Sequence, residues 1–157
     1  MKRKLIVSGI AILSIFAAAS LFLLPGGKAQ AFIDPSDASL VARGRSVYAS
    51  HCAACHGARL EGQPDWRTRL SNGRLPAPPH DASGHTWHHP DNVLVDITRN
   101  GLVPGKTAPE GYQSDMPAYA GLLSDEEITA VLAYIKSHWP PELLELQRKV
   151  TLEPGGG

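Results

Sequence analysis

Residues 52 to 56 read Cys-Ala-Ala-Cys-His, and Cys52 and Cys55 are the only cysteines in the 157-residue chain. The spacing C-x-x-C-H is the attachment signature of a c-type haem. A helical turn here would place positions i, i+3 and i+4 on one face, so that Cys52, Cys55 and His56 address one flat ligand together. The two sulfurs then add across the haem vinyl groups as thioethers, and an imidazole nitrogen of His56, Nε2 by expectation, binds iron as the proximal axial ligand. A chain that carries one haem c in this way cannot release it and has to fold around it.

Other uses of a C-x-x-C pair fit less well. A thioredoxin-type site needs a surrounding βαβ pattern, and no alternation of strands and helices can be read here. A zinc site needs further ligands, and the remaining candidates are His80, His85, His88 and His89. A plain structural disulfide is compatible with export but leaves His56 without a role.

Export is indicated by the first 31 residues. Lys2, Arg3 and Lys4 precede an uncharged run from Leu5 to Leu24, and Pro25-Gly26-Gly27 then leads to Ala29-Gln30-Ala31. This basic, apolar and small-residue succession is that of a secretory signal. The run exceeds the roughly 7 to 15 residues of an ordinary signal core and is about long enough to span a bilayer. Cleavage after Ala31 is the favoured expectation, with an uncleaved membrane anchor as the alternative. Either outcome places residues 32 to 157 outside the cytoplasm, in the periplasm or tethered to a membrane facing it.

The remaining length suits one domain, 32–157, with a modest core. The chain is formally neutral, yet the export segment holds four of the fifteen basic residues and none of the fifteen acidic ones. The mature part is therefore net acidic, which argues against a nucleic-acid partner. Six arginines lie between Arg43 and Arg74, and acidic residues crowd the other end, from Asp125 to Glu153. That polarity could orient docking with a redox partner, or it could be an ordinary solvated surface.

The local patterns are helical. Asp34-Pro35-Ser36-Asp37 leads into a first helix carrying Leu40, Val41, Gly44, Val47 and Tyr48, which ends at the haem motif. Residues 57–89 read as a long loop that a large apolar cofactor can order. A second, short helix starts at His89-Pro90-Asp91-Asn92 and stops at Asn100-Gly101. After another Pro/Gly-rich loop, Ser124-Asp125-Glu126-Glu127 forms a capping box for a third helix. Ile128, Val131, Leu132 and Ile135 form its apolar stripe, and Pro140-Pro141 ends it after Trp139. A short last helix from about Glu142 to Lys149 would pack Leu143, Leu146 and Val150, with a frayed tail from about 151. The fold class expected is all-α, three main helices and a short C-terminal one, with long loops around one covalent haem.

Iron held by one histidine needs a sixth ligand or an open position, and the choice separates a carrier from an enzyme. Met1 lies in the export segment, so Met116 is the only methionine of residues 32–157. Met116-Pro117 in a loop is a rigid presentation for a thioether ligand; the alternatives are a core gap filler and a histidine from the 80–89 cluster.

On these residues the chain resembles the class I monohaem cytochromes c of exported bacterial type, over about residues 37 to 140. Within that family it is similar to members with a Leu-x-Ala-Pro-Pro segment, here Leu75 to Pro79. The resemblance implies that the first helix crosses the last beside the haem, with Gly44 and Tyr48 facing Val131 and Tyr134. It also implies that a proline carbonyl, of Pro78 or Pro79, accepts a bond from the second ring nitrogen of His56. Trp66, Arg67 and Arg69 become candidate donors to the haem propionates, solvated arginines being an equal alternative. Few lysines lie in the mature part, so a lysine-ringed docking face is not expected.

The function this implies is a one-electron carrier with His56 and Met116 as axial ligands, not an enzyme. It would exchange electrons with extracytoplasmic redox proteins through brief contacts, as a monomer. Two alternatives stand beside it: a peroxidase-like or nitrogen-oxide-handling haem enzyme with a displaceable methionine, and a haem subunit docked to a dehydrogenase or oxidase. The run His85-Thr86-Trp87-His88-His89 could hold a second metal, or serve as loop residues bonded to nearby backbone.

Overall fold

The computed structural model describes residues 32–153; the export-type segment, with its expected cleavage point after Ala31, and residues 154–157 lie outside the described residues. Five α-helices follow in order: α1 Ala38–His51, α2 Ala53–His56, α3 Asp91–Asn100, α4 Asp125–Lys136 and α5 Pro141–Leu152. Among the described residues there is no strand, only an isolated bridge between Pro104 and Ala108. No described helix is long and apolar enough to cross a membrane.

Caps set where the helices begin. The Asp37 carboxylate accepts hydrogen bonds from the amides of Ser39 and Leu40 at 2.9 and 3.1 Å. These satisfy donors that the first turn of α1 leaves orphaned. At α4 the expected capping box is formed: Glu127 N donates to Ser124 Oγ at 3.2 Å, and Ser124 N donates to the Glu127 carboxylate at 2.9 Å. α3 stops where Gly101 takes φ +74.

α1 and α4 make the main helix pair, and they meet at Gly44. A Cβ on Gly44 would lie 1.9 Å from the carbonyl oxygen of Ala130 and 2.8 Å from Tyr134 Cβ. Only hydrogen can occupy that contact. Tyr48, one turn on, sets its ring 5.3 Å from that of Tyr134. The residue opposite the glycine is thus Ala130 rather than Val131, which is buried in the core beside Ile128, Leu132 and Ile135. A small residue is needed where the backbones touch, and the larger Val131 turns into the apolar interior.

Two helix ends differ from expectation. α4 ends at Lys136, not after Trp139, because the chain tightens to three-residue bonds, His138 N to Ile135 O and Trp139 N to Lys136 O. Trp139 is then buried and donates its indole N–H to His80 O at 2.8 Å. α5 runs on to Leu152, and Thr151, expected to fray, is buried. Its inner face is also different: Leu143 and Leu144 pack on the core, Leu146 is exposed, and the most buried residues are Gln147 and Thr151.

That polar face belongs to a buried network. Lys136 Nζ donates to both carboxylate oxygens of Asp91 at 2.8 Å, and the two residues are 0% and 2% exposed. Gln147 Nε2 donates to Asp91 Oδ1 at 2.7 Å, Asp91 N donates to Thr151 Oγ1 at 3.1 Å, and Ile33 N donates to Asp91 Oδ2 at 2.7 Å. The Phe32 ring covers the Lys136 ammonium at 3.6 Å. A buried pair is tolerable only when its remaining lone pairs and protons are satisfied in this way. The network joins α3, α4, α5 and the start of the described chain.

Two stability outcomes follow. Gly44→Ala should lower the unfolding free energy by about 1–3 kcal/mol, the usual cost of overpacking a close contact, as read by denaturant unfolding. Lys136→Met should cost about 3–5 kcal/mol by stranding the Asp91 carboxylate. Pairing it with Asp91→Asn should recover a large part of that loss. Equal losses in the single and double variants would show that Asp91 is not the group at stake.

Candidate functional site

The haem motif sits at a corner between α1 and α2. Cys52 ends the first helix and begins the second, its N–H donating to Tyr48 O at 2.9 Å while its carbonyl accepts from Cys55 N and His56 N at 3.1 and 2.9 Å. The turn that makes Cys52, Cys55 and His56 neighbours is therefore formed. Gly57, at φ +81, ends it. The Tyr48 hydroxyl donates to Gly57 O at 2.9 Å, so the α1–α4 contact and the motif share a residue. Neither thiol is in a disulfide; Cys55 is exposed, and burial pushes the Cys52 thiol up to about 11.

His56 is buried and oriented. Its Nδ1 lies 2.8 Å from Pro78 O. A carbonyl can only accept, so Nδ1 carries the proton and Nε2 carries the lone pair. Burial holds the ring below its ordinary pKa, an effect the Pro78 bond only partly offsets. Nε2 makes no hydrogen bond with any described residue. Of the two prolines expected as acceptor, the bond is made by Pro78.

Pro79 has another part. A Cβ on Gly62 would come 2.4 Å from Pro79 N, and one on Gly84 would come 2.0 Å from Pro79 O. The loop closes on itself through these glycines, with Gly62 N donating to His56 O at 2.8 Å and Gln63 N to Ala77 O at 2.9 Å. Leu60, buried at φ +69, gives its carbonyl to His80 N at 2.8 Å. His80 then stacks on His56, ring centroids 4.0 Å apart and planes at 23°.

The Met116 loop is fixed at several points. Tyr119 N and Ala120 N donate to Thr98 O and Arg99 O at the end of α3, at 3.2 and 2.8 Å. The Tyr119 hydroxyl donates to His51 O at 2.6 Å, directly before the motif. Burial raises the Tyr119 pKa, and the nearby Cys52 and Cys55 add to the shift. Met116 N donates to Ser114 Oγ at 3.0 Å, and Asp115 pairs with Arg74 across to the 57–89 loop. Met116 itself is half-buried.

The remaining candidates are spread out. Arg67 lies over Trp66 at 4.0 Å, and Arg69 donates to Gly73 O at 2.6 Å. The indole N–H of Trp87 is buried and has no acceptor among the described residues. His85 stacks on Trp66 at 5.4 Å and His88 on Trp87 at 3.6 Å. Among the described residues no three metal-ligating side chains gather into a site. A neutral imidazole with an available Nε2 and two free thiols on the same turn are the groups that attach and ligate a haem c.

The cytochrome c family model matches residues 41–139. The chain belongs to the cytochrome c family. It carries a class I c-type cytochrome domain, an electron-carrying module whose Cys52, Cys55 and His56 have the spacing for one covalent haem c. A 97-residue stretch is 31% identical to the gluconate 2-dehydrogenase cytochrome c subunit of Pantoea cypripedii, covering 61% of this chain and 20% of that one. The chain thus spans about a fifth of the length of that relative.

Three contacts of this cytochrome c were not anticipated: the stacked His80, the Tyr119 hydroxyl on His51 and the carbonyl role of Leu60. Tyr119, three residues beyond Met116, carried a signal as an aromatic just outside the candidate ligand. The other two depend on contacts between distant backbone segments. Tyr119→Phe should cost about 1 kcal/mol by removing one hydrogen bond, measured by denaturant unfolding. An unchanged midpoint would mean the bond to His51 contributes nothing.

Proposed function

We propose that this cytochrome c holds its iron between His56 Nε2 and the Met116 sulfur, and that it passes single electrons between extracytoplasmic redox proteins. The observation that carries this reading is the bond from His56 Nδ1 to Pro78 O, which leaves a neutral imidazole with its other nitrogen available. The Met116 loop, tied to His51 through Tyr119 and to the 57–89 loop through Asp115, supports the second ligand.

When bound, the haem supplies an iron that cycles between Fe(II) and Fe(III). The chain's residues do the rest. The Pro78 carbonyl raises the basicity of His56 and sets its tautomer. Anchored at both ends, Met116 would hold its thioether in one place whichever oxidation state the iron has, so that little reorganisation would accompany transfer. A thioether favours the reduced ion and raises the potential relative to a second imidazole.

The leader reading places residues 1–31 as signal or anchor and 32–157 as one domain in the periplasm or facing it. A second reading of the partner is favoured by the similarity to a dehydrogenase cytochrome c subunit, namely that this haem domain docks on a dehydrogenase. An isolated, reversibly titrating monomer speaks for the mobile carrier; stoichiometric co-purification with a dehydrogenase speaks for the docked subunit.

Met116→Ala is the direct test. The oxidised wild type should show the far-red charge-transfer band of iron bound to a thioether, and the variant should lose it while keeping covalent haem. Survival of that band in the variant would exclude Met116 as ligand.

A further inference from the structure

We propose that His80 is a positioning residue for the proximal imidazole: its ring, stacked on His56, fixes the rotation of the His56 plane about the bond from Nε2 to iron. The assignment rests on the reading of His56 as the iron ligand.

An imidazole bound through one nitrogen can turn about that bond. The hydrogen bond to Pro78 restrains the turn, but hydrogen bonds tolerate a broad range of angles. A flat surface against the ring face is a stiffer stop. With centroids 4.0 Å apart and planes at 23°, a rotation of His56 would drive its edge into the His80 ring. The carbonyl thus acts in the plane of the imidazole and His80 acts on its face, and the two together leave one orientation.

The stop is useful only if it cannot yield, and His80 is tied by hydrogen bonds to Leu60, Trp139 and Thr86. Its backbone N–H donates to Leu60 O at 2.8 Å, and its carbonyl accepts from the Trp139 indole at 2.8 Å. Its Nδ1 is hydrogen-bonded to Thr86 Oγ1 at 2.9 Å, which restrains the ring from the side away from its backbone bonds. Tyr48 stands edge-on to it at 6.3 Å. The ring that touches His56 is therefore referenced to α1 through Tyr48 and to the end of α4 through Trp139. Pro78 and His80 are separated by a single residue, and Gly62 and Gly84 clamp that residue from both sides. The loop delivers both restraints as one rigid unit.

The plane of an axial imidazole sets which iron dπ orbital carries the unpaired electron of the ferric state, and so the pattern in which spin reaches the porphyrin edge. An outer-sphere residue that sets the plane tunes the metal without touching it. A side chain that merely filled the core would stabilise the fold and leave this pattern alone.

The test uses the full, haem-bearing ferric protein in three variants, with proton NMR of the hyperfine-shifted haem methyl resonances and unfolding midpoints for each. His80→Phe keeps a flat face and should keep the wild-type order of methyl shifts. His80→Ala and His80→Leu remove the flat face, the second while filling the volume, and should change that order or compress its spread. Both losses should occur even where His80→Phe and His80→Leu unfold at the same midpoint. A wild-type methyl pattern in His80→Leu or His80→Ala would overturn the assignment and leave His80 a core residue. If the wild type itself shows no hyperfine-shifted imidazole resonances from His56, the ligation reading fails first, and this assignment with it.

Discussion

The bond from His56 Nδ1 to the Pro78 carbonyl joins a helical turn to a loop 22 residues further on, and most of the molecule serves to hold its two ends. The histidine end is placed by α1, whose N-cap at Asp37, close approach at Gly44 and Tyr48 hydroxyl locate the motif against α4. The proline end is placed by a loop that closes through Leu60, Gly62 and Gly84 and is pinned to Trp139 by the His80 carbonyl. A ligand imidazole needs a defined tautomer as well as a defined position. This one bond sets the tautomer and restrains the position.

Met116, the proposed second ligand, is placed by a different route. The loop holding Met116 has little regular structure, yet it is tied to the end of α3, to His51 and to Arg74. Such a loop can present a soft ligand without strain while its ends stay fixed. Behind both loops, the Asp91, Lys136, Gln147 and Thr151 network secures α3 and α5 to α4. Its contribution lies in the cost of breaking it, since a lone buried carboxylate is far less tolerable than a satisfied pair.

Much of this was legible in the sequence because it is local. The C-x-x-C-H motif, the Asp37 and Ser124 caps and the Gly101 stop each depend on residues within one turn of one another, and each appears where its residues are. The glycine crossing was legible to within one position: Gly44 and Tyr134 meet as expected, but the residue beneath the glycine is Ala130, because a backbone contact selects the smallest neighbour. What stayed hidden is long-range or polar. No spacing rule distinguishes Pro78 from Pro79, since the choice depends on how the loop closes at Gly62 and Gly84. A search for apolar stripes picks Leu146 and Val150 on α5 and overlooks Gln147 and Thr151, whose burial makes sense only once Asp91 and Lys136 lie opposite them. For the same reason nothing local in the sequence sets His80 apart from the other histidines as the neighbour of His56.

X-ray absorption at the iron edge, on the matured and fully oxidised protein, tests the central claim most directly. The account predicts one sulfur in the first coordination shell and one imidazole nitrogen beyond those of the porphyrin, with little change in either distance on reduction. A shell of nitrogen alone, or an iron whose sixth ligand does not come from the protein, would contradict it.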